Sequence, residues 1–346
     1  MDLRLHRLQL KLAHPFTISR GTMTQQHSLV VQLSADGLSG WGEVTENSYY
    51  HRTLDGLTES IHRARPILDS YRSQPPNEVW PELMERLEGD TFAASALDMA
   101  AHDWWAKRQS LPTWKAWGLQ WNTVVRSSYT IAIDTTERMK EKLNEHPDWP
   151  IYKIKLGTKQ DLEIVRALRS CTQATLRVDA NCGWSVTQTI EMSAALAELG
   201  VEFIEQPLPA NASWHDHRQV FQSSRLPIIA DESCQTIQDV ERCHEHFHGI
   251  NVKICKCGGL TPALQLLSKA RQLGMKTMVG CMIESSIGIS GAAQLLPLLD
   301  FADLDGACLL ASDPTKGIQV ANGLIQRPSI PGNGGCLPEG GLLESK

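Results

Sequence analysis

Hydrophobic and polar residues alternate along the start of the chain. The five leucines of residues 2–12 are separated by charged or polar residues, a pattern typical of a half-buried strand and not of the apolar block of a signal peptide. The stretch SLVVQLSADGLSGWGE carries Asp36-Gly37 between two alternating runs and therefore predicts a hairpin. Residues 52–108 are rich in Leu, Ala, Glu and Arg, with proline-marked breaks near Pro66 and Pro75-Pro76, so three helices are expected there.

From about residue 126 a different pattern repeats. Short apolar runs typical of strands recur roughly every 25 residues, each followed by a helical stretch, and they begin near Ile151, Thr175, Val201, Pro227, Gly249, Lys276 and Phe301. With the run SSYTIAID at 127–134 the number of strands reaches eight, and short right-handed crossovers close such a series into a barrel. A doubly wound open sheet is the alternative, but no strand is followed by G-x-G-x-x-G.

These patterns divide the chain into three parts. We expect an α+β unit at 1–115, a barrel at 116–312, and a C-terminal segment at 313–346 that is rich in Pro and Gly and runs back to the first unit. A chain of 346 residues has room for this arrangement, because one barrel takes about 250 residues.

Composition narrows the class of protein. A net charge of −6 gives no reason to expect nucleic acid as a partner, and no run approaches the length of a membrane span, so no membrane partner is expected either. The nine cysteines form no C-x-x-C pair and are expected to be reduced thiols of a cytoplasmic protein.

Carboxylates end three successive strands of the predicted barrel. Asp179, Glu205 and Asp231 each follow an apolar run, and the C-terminal ends of barrel strands are where the chemistry of this fold lies. Like charges brought together need a cation, and oxygen ligands without His or Cys favour a hard ion such as Mg²⁺. A helix cap or a surface salt bridge is the structural alternative for any one of these acids.

Lysines flank the three acids. Lys153 and Lys155 share a face of one strand, because side chains alternate with a period of two, and Lys253 ends a strand on the other side. A second ammonium group beside Lys155 disfavours its charged form, so Lys155 is a candidate base. Alternatively, the lysines only neutralise the acids.

The order of these motifs resembles the muconate-lactonizing-enzyme subgroup of the enolase superfamily. The motifs are K-x-K, D-x-N, E-Q-P, D-E-S, N-x-K-x-x-K-x-G-G and G-x-M-x-E, between residues 153 and 284. The resemblance implies an α/β fold, a modified (β/α)7β barrel of TIM type with an N-terminal α+β capping domain. It also implies one Mg²⁺ per subunit on Asp179, Glu205 and Asp231, acid/base catalysis by Lys155 and Lys253, and tuning of the Lys155 pKa by Lys153.

The pair Asp303 and Asp305 bears on the substrate. Within the subgroup this D-x-D is similar to that of the dipeptide epimerases, where it holds the free α-ammonium group, so we expect 1,1-proton transfer at the C-terminal residue of a dipeptide. An N-acylamino acid racemase or an o-succinylbenzoate synthase is the alternative of the same fold. A non-catalytic ligand-binding protein is the alternative of another class, and self-association into a homo-oligomer stays open.

A few residues bear on which substrate side chains are accepted. The arginine that reads a C-terminal glutamate in some relatives is replaced by Gly21 here, although Arg20 lies one residue away. Glu46 and His51 favour a cationic side chain, and Met282 and Ile283 favour an apolar or small N-terminal residue. Thr130 is expected among the substrate contacts.

Overall fold

Three antiparallel strands and five helices form the N-terminal part of the computed structural model, which describes residues 1–338. The strands lie in the order β1-β2-β3. They are β1 (Asp2–Ile18), β2 (Gly21–Ala35) and β3 (Leu38–Thr45). The helices are α1 (Leu54–Arg63), α2 (Arg65–Ser70), α3 (Pro76–Arg86), α4 (Thr91–Arg108) and α5 (Thr113–Ala116).

The hairpin at Asp36-Gly37 is confirmed, because this pair forms the turn between β2 and β3. The expectation of three helices over 52–108 is wrong, since four helices lie there. The additional break falls between α3 and α4, where no proline marks it. Instead Gly89 adopts a left-handed φ of 79° and the Asp90 side chain accepts the backbone N–H of Ala93 to begin the next helix.

Two glycines let β3 lie directly on α4. A methyl group at Gly40 would overlap the carbonyl oxygen of Ala100, and one at Gly42 would overlap that of Ala96. Only glycine allows this close approach of strand and helix. The N-terminal sheet is thereby held on a helix that also contacts the barrel.

Eight parallel strands form the second part of the fold and lie in sequence order around the sheet. They are β4 (Tyr129–Ile131), β5 (Ile151–Lys155), β6 (Thr175–Asp179), β7 (Val201–Glu205), β8 (Ile228–Ala230), β9 (Gly249–Val252), β10 (Lys276–Gly280) and β11 (Phe301–Asp303). A bridge between Ser127 and Ala302 joins the first strand to the last. Helices follow each strand but the last, so the expected (β/α)7β barrel with its N-terminal capping domain is confirmed.

The barrel helices cover the outside of this sheet. They are α6 (Thr136–Glu145), α7 (Asp161–Arg169), α8 (Val186–Glu198), α9 (Trp214–Ser223), α10 (Ile237–Cys243), α11 (Ile254–Cys257), α12 (Leu260–Gln272) and α13 (Ser286–Ala293). Short 3₁₀ turns flank the last barrel strand, and the two-residue strands β12 (Val320–Ala321) and β13 (Leu324–Ile325) pair with each other beyond it. Inside the barrel, Phe203, Ile229 and Met278 form a buried apolar layer. The charged residues at the C-terminal ends of the strands therefore lie above an apolar layer that fills the barrel interior.

Buried polar contacts attach the N-terminal sheet to the barrel. Glu43 of β3 accepts hydrogen bonds from Ser28 Oγ at 2.5 Å, from Ser285 Oγ at 2.5 Å and from the backbone N–H of Gly288 at 2.9 Å. Asn333 reaches back to α4, where its backbone N–H donates to Asp103 at 2.5 Å.

The division of the chain at 1–115, 116–312 and 313–346 stays a prediction, and residues 339–346 of its last segment lie outside the described residues. Among the helices of residues 1–338, none combines the length and the apolar character that crossing a membrane requires.

Candidate active site

The barrel mouth and the N-terminal sheet enclose a cavity of about 590 Å³. Barrel side chains at strand ends or just after them line it, among them Lys155, Asp231, Lys253, Asp303 and Asp305. The wall opposite the barrel comes from residues around the β1–β2 turn and from the loop after β3. The side chains predicted from separate repeats are therefore brought to one place by the closure of the barrel.

Lys153 lies below the cavity and is completely buried. Its Nζ is 3.1 Å from Asp179 Oδ2, 2.9 Å from Glu205 Oε2 and 2.7 Å from Asp303 Oδ2. Burial opposes protonation, but these carboxylates outweigh it and raise the pKa of Lys153 well above its ordinary value. Lys153 therefore carries a positive charge at neutral pH and holds three acids together.

Lys155 and Lys253 face each other across the barrel mouth. In the circular order of eight strands, three strands separate β5 from β9 in either direction. Lys155 Nζ lies 2.7 Å from Asp179 Oδ2, and Lys253 Nζ lies 3.1 Å from Asp231 Oδ2. Lys153 and Lys155 contact the same oxygen of Asp179, so their ammonium groups are close neighbours.

Lysines also control the ionisation of the acids. Burial would raise the pKa of Asp179 and of Asp231, but the adjacent lysines outweigh it and hold both pKa values below the ordinary range. Lys256 is buried and donates to the Asp231 carboxylate, beside Lys253. Glu205 behaves differently, because burial is the larger effect and raises its pKa to about 7.

The three acids fit a hard divalent cation by their chemistry. Adjacent strands place Asp179 opposite Glu205 and bring Asp231 beside them. Glu205 Oε2 is buried and, among the described residues, makes no hydrogen bond of good geometry, although Lys153 Nζ lies 2.9 Å away. Asn251 Nδ2 donates to the other oxygen, Oε1, at 2.8 Å. Within residues 1–338, no three His, Cys, Asp or Glu side chains are already gathered as metal ligands, because the acids turn toward the lysines. A free carboxylate oxygen beside two ionised acids is nevertheless the donor set that Mg²⁺ prefers.

Asp303 and Asp305 differ in their partners. Asp303 accepts from Lys153 and from Ser128 Oγ, both at 2.7 Å, so its oxygens are committed to the protein. Asp305 accepts the backbone N–H of Thr130 at 2.6 Å and forms no ion pair among the described residues. Thr130 lines the cavity beside them. Asp305 is therefore the acid more available to a cationic group.

The residues expected to read side chains lie around the outer cavity. Arg20, Glu46, Met282 and Ile283 line it, whereas His51 is not among the lining residues. Glu46 is paired with His27 Nδ1 at 2.8 Å. Arg20 forms a salt bridge with Glu232, whose Oε1 lies 2.8 Å from Arg20 Nη2.

Sequence reasoning gave no role to Asn181, Glu232 or Asn251. All three are buried, and each has an oxygen that finds no hydrogen-bond partner within residues 1–338. Each belongs to a motif quoted above: Asn181 to D-x-N, Glu232 to D-E-S and Asn251 to N-x-K. The motifs therefore marked these positions but indicated no role for them. Only the fold reveals what these side chains contact.

Comparison with known proteins places this site in a family. Residues 2–118 match the mandelate racemase / muconate lactonizing enzyme N-terminal domain, and residues 134–338 match the enolase C-terminal domain-like family. An L-Ala-D/L-amino acid epimerase of Flavobacterium johnsoniae is 46% identical over 337 residues, which cover 97% of this chain and 100% of the relative.

Two solved structures are similar over nearly the whole chain. The L-Ala-D/L-Glu epimerase of Bacillus subtilis, a substrate-liganded complex, has a TM-score of 0.92 at 25% identity and covers 97% of this chain and 98% of its own. The dipeptide epimerase of Cytophaga hutchinsonii, complexed with Mg and D-Ala-L-Val, has a TM-score of 0.92 at 28% identity and covers 98% and 96%. The resemblance drawn from the motifs is confirmed: the chain belongs to the enolase superfamily, in its mandelate racemase and muconate lactonizing enzyme family.

Proposed function

We propose that the chain is a magnesium-dependent dipeptide epimerase that inverts the α-carbon of the C-terminal residue. The observation that carries the proposal is the placement of Lys155 and Lys253 on opposite sides of one cavity, with Asp179, Glu205 and Asp231 on the three strands between them. The similarity to curated and solved dipeptide epimerases, one of them complexed with Mg and a dipeptide, supports the substrate class and the cofactor.

Each residue has a proposed task. Asp179, Glu205 and Asp231 hold one Mg²⁺, which when bound stabilises the negative charge that develops on the substrate carboxylate. Lys153 keeps Asp179 and Glu205 in place, and its ammonium group lies beside that of Lys155. Lys256 positions Asp231 in the same way.

Proton transfer uses one lysine on each face of the substrate. One lysine enters neutral and takes the α-proton, so the C–H bond breaks and an N–H bond forms. The other enters protonated and donates to the opposite face, so its N–H bond breaks and a new C–H bond forms. The α-carbon is inverted, and the two lysines exchange protonation states.

The test is isotope exchange in D₂O with Mg²⁺ and L,L-dipeptides. We expect Lys155→Ala and Lys253→Ala each to lower the rate of epimerisation by about 10²- to 10⁴-fold, the usual contribution of acid/base catalysis. Each variant should still exchange the α-hydrogen of one epimer without inverting it, and the two variants should retain opposite epimers.

Lys159→Ala is the matched control, because Lys159 is exposed in the loop after β5 and does not line the cavity. Full epimerisation by Lys253→Ala would contradict the two-base mechanism. An absence of exchange by the wild-type protein across a dipeptide library would contradict the epimerase assignment and favour a binding protein.

A further inference from the structure

The β1–β2 turn reaches over the barrel mouth and is seated on barrel loops. Ser19 Oγ donates to the carbonyl oxygen of Asn181 at 3.0 Å, and Arg20 Nη1 donates to the same oxygen at 3.2 Å. Gly157 of the barrel lies against Ser19, where a methyl group on Gly157 would come within 2.8 Å of Ser19 Cβ. The guanidinium group of Arg20 is therefore held in one place at the edge of the cavity.

Glu232 forms a salt bridge with this guanidinium group from the barrel side. Arg20 Nη2 lies 2.8 Å from Glu232 Oε1, and the side chain of Glu232 is only 3% exposed. The guanidinium group of Arg20 also stacks on the ring of Tyr49, 4.3 Å from the ring centroid. Arg20, Tyr49 and Glu232 all line the cavity, so a substrate meets an arginine that already has a carboxylate partner.

The position of this pair identifies the part of the substrate that it meets. Glu232 follows β8, and in the circular strand order β8 lies opposite β4, which carries Thr130. Thr130 contacts Asp305, the more available of the two acids that are expected to hold the substrate's α-ammonium group. The Arg20–Glu232 pair thus lies across the mouth from Thr130 and Asp305, and a dipeptide anchored at Asp305 by its N-terminal residue would extend its C-terminal residue toward the pair.

We infer that the Arg20–Glu232 ion pair selects the C-terminal residue by charge and admits uncharged side chains. An acidic side chain must compete with Glu232 for Arg20 and also face Glu232 Oε2, which has no hydrogen-bond partner in the described part of the chain. A cationic side chain faces the guanidinium group. An uncharged side chain can contact Tyr49 and leave the ion pair intact. The inference rests on the proposed epimerase function and adds its specificity.

The test compares two matched pairs of dipeptides by the ratio of their kcat/KM values. L-Ala-L-Glu and L-Ala-L-Gln differ only in an acidic group, and L-Ala-L-Lys and L-Ala-L-norleucine differ only in an ammonium group. Taking ratios within one variant removes any general loss of activity. The wild-type protein should prefer Gln over Glu and norleucine over Lys.

Variants on the two sides of the pair should shift these ratios in opposite directions. Glu232→Gln frees Arg20 and should raise the Glu/Gln ratio by about tenfold or more, the value of a charge-assisted hydrogen bond. Arg20→Met frees Glu232 and should raise the Lys/norleucine ratio by a similar factor. The double variant should lose both gains, because neither charge is left to bind.

Glu46→Gln is the matched control, since it removes the same charge from the same cavity but leaves Arg20 paired. An equal shift of the Glu/Gln ratio in Glu46→Gln, or ratios unmoved in both Glu232→Gln and Arg20→Met, would overturn charge selection by this pair. If Glu232→Gln does not fold, the Arg20→Met result decides in the same way. Absence of exchange by the wild-type protein with all four dipeptides would instead overturn the epimerase function and the inference with it.

Discussion

Asp305 offers the sharpest test of the substrate class. Asp303 is committed to Lys153 and Ser128, whereas Asp305 accepts the backbone N–H of Thr130 at 2.6 Å, forms no ion pair within residues 1–338 and lines the cavity. We predict that Asp305→Asn weakens binding of a free α-ammonium group and leaves the lysines in place. Asp303→Asn removes a partner of Lys153 and should lower activity on every substrate.

The size of the effect follows from the interaction that is lost. A hydrogen bond to a charged group contributes about 1.5 to 3 kcal/mol, which corresponds to about 10-fold to about 150-fold in kcat/KM. L-Ala-L-Met and N-propionyl-L-Met are matched substrates, because they differ only in the ammonium group. Asp305→Asn should reduce kcat/KM by this factor for the dipeptide and affect the propionyl compound little.

The pH dependence gives an independent readout. Burial, and after it the charge of Asp303, raises the pKa of Asp305 to about 7. Asp305 is ionised above this pH, so the preference for the dipeptide should rise as the pH rises through about 7. It should fall again near pH 8, where the substrate's α-amino group, with a pKa of about 7.7 to 8.0, loses its proton.

The ratio of the two kcat/KM values cancels every ionisation that both substrates share. The rising limb of this ratio should vanish in Asp305→Asn. A wild-type ratio that is flat with pH and unchanged in Asp305→Asn would refute the assignment of Asp305 to the ammonium group. It would then favour an enzyme for N-acyl amino acids.

Three further predictions concern the metal and the framework. EDTA should abolish α-hydrogen exchange and Mg²⁺ should restore it. The Tm should also rise with Mg²⁺ concentration, because a ligand of the folded state stabilises by about 2.7 kcal/mol at a hundred times its Kd. If EDTA changes neither the Tm nor the exchange rate, the metal site is contradicted. Gly42→Ala should lower the free energy of unfolding by about 3 kcal/mol or more in urea titrations, because the added methyl group overlaps the Ala96 carbonyl oxygen and pushes β3 away from α4. An unchanged urea midpoint would show that this contact can relax. Glu43→Gln replaces a carboxylate oxygen by an amide N–H group that faces Ser285 or Gly288, both of which donate to Glu43. This change should lower the free energy of unfolding by about 2 to 4 kcal/mol in the same urea titrations. Glu46→Gln is the control, because Glu46 is partly exposed.

The barrel and the acids and lysines at its mouth were predictable because each repeat carries its own signal. An apolar run that ends in Asp179, Glu205 or Asp231 is visible locally, and closure of the barrel then brings the three together. The contacts that join distant parts of the chain were not predictable. Glu43 and Ser285 are 242 residues apart, and neither residue alone shows that the other exists.

Two local features were also missed for physical reasons. The break between α3 and α4 depends on a left-handed Gly89 and an Asp90 cap, in a stretch whose composition is otherwise helical. The sequence indicated a base beside a second lysine, but it gave no sign that Lys153 would lie within 3.1 Å of three carboxylates, one of them on the last strand. Pairing across a closed barrel depends on register, which periodicity does not supply.

The proposed chemistry and the inferred specificity of this site rest on different parts of the fold. Lys155 and Lys253 belong to strand ends, and hydrogen bonds to neighbouring strands fix their separation whatever the substrate. Arg20 belongs to a two-residue turn that the carbonyl oxygen of Asn181 supports from below. If Arg20 selects the side chain as inferred, a change in that turn alters which side chain is admitted without moving Lys155 or Lys253. Under the inferred charge selection, the specificity of this chain can change while the proposed proton transfer is kept, provided that Glu232 or its replacement still matches the charge of the turn.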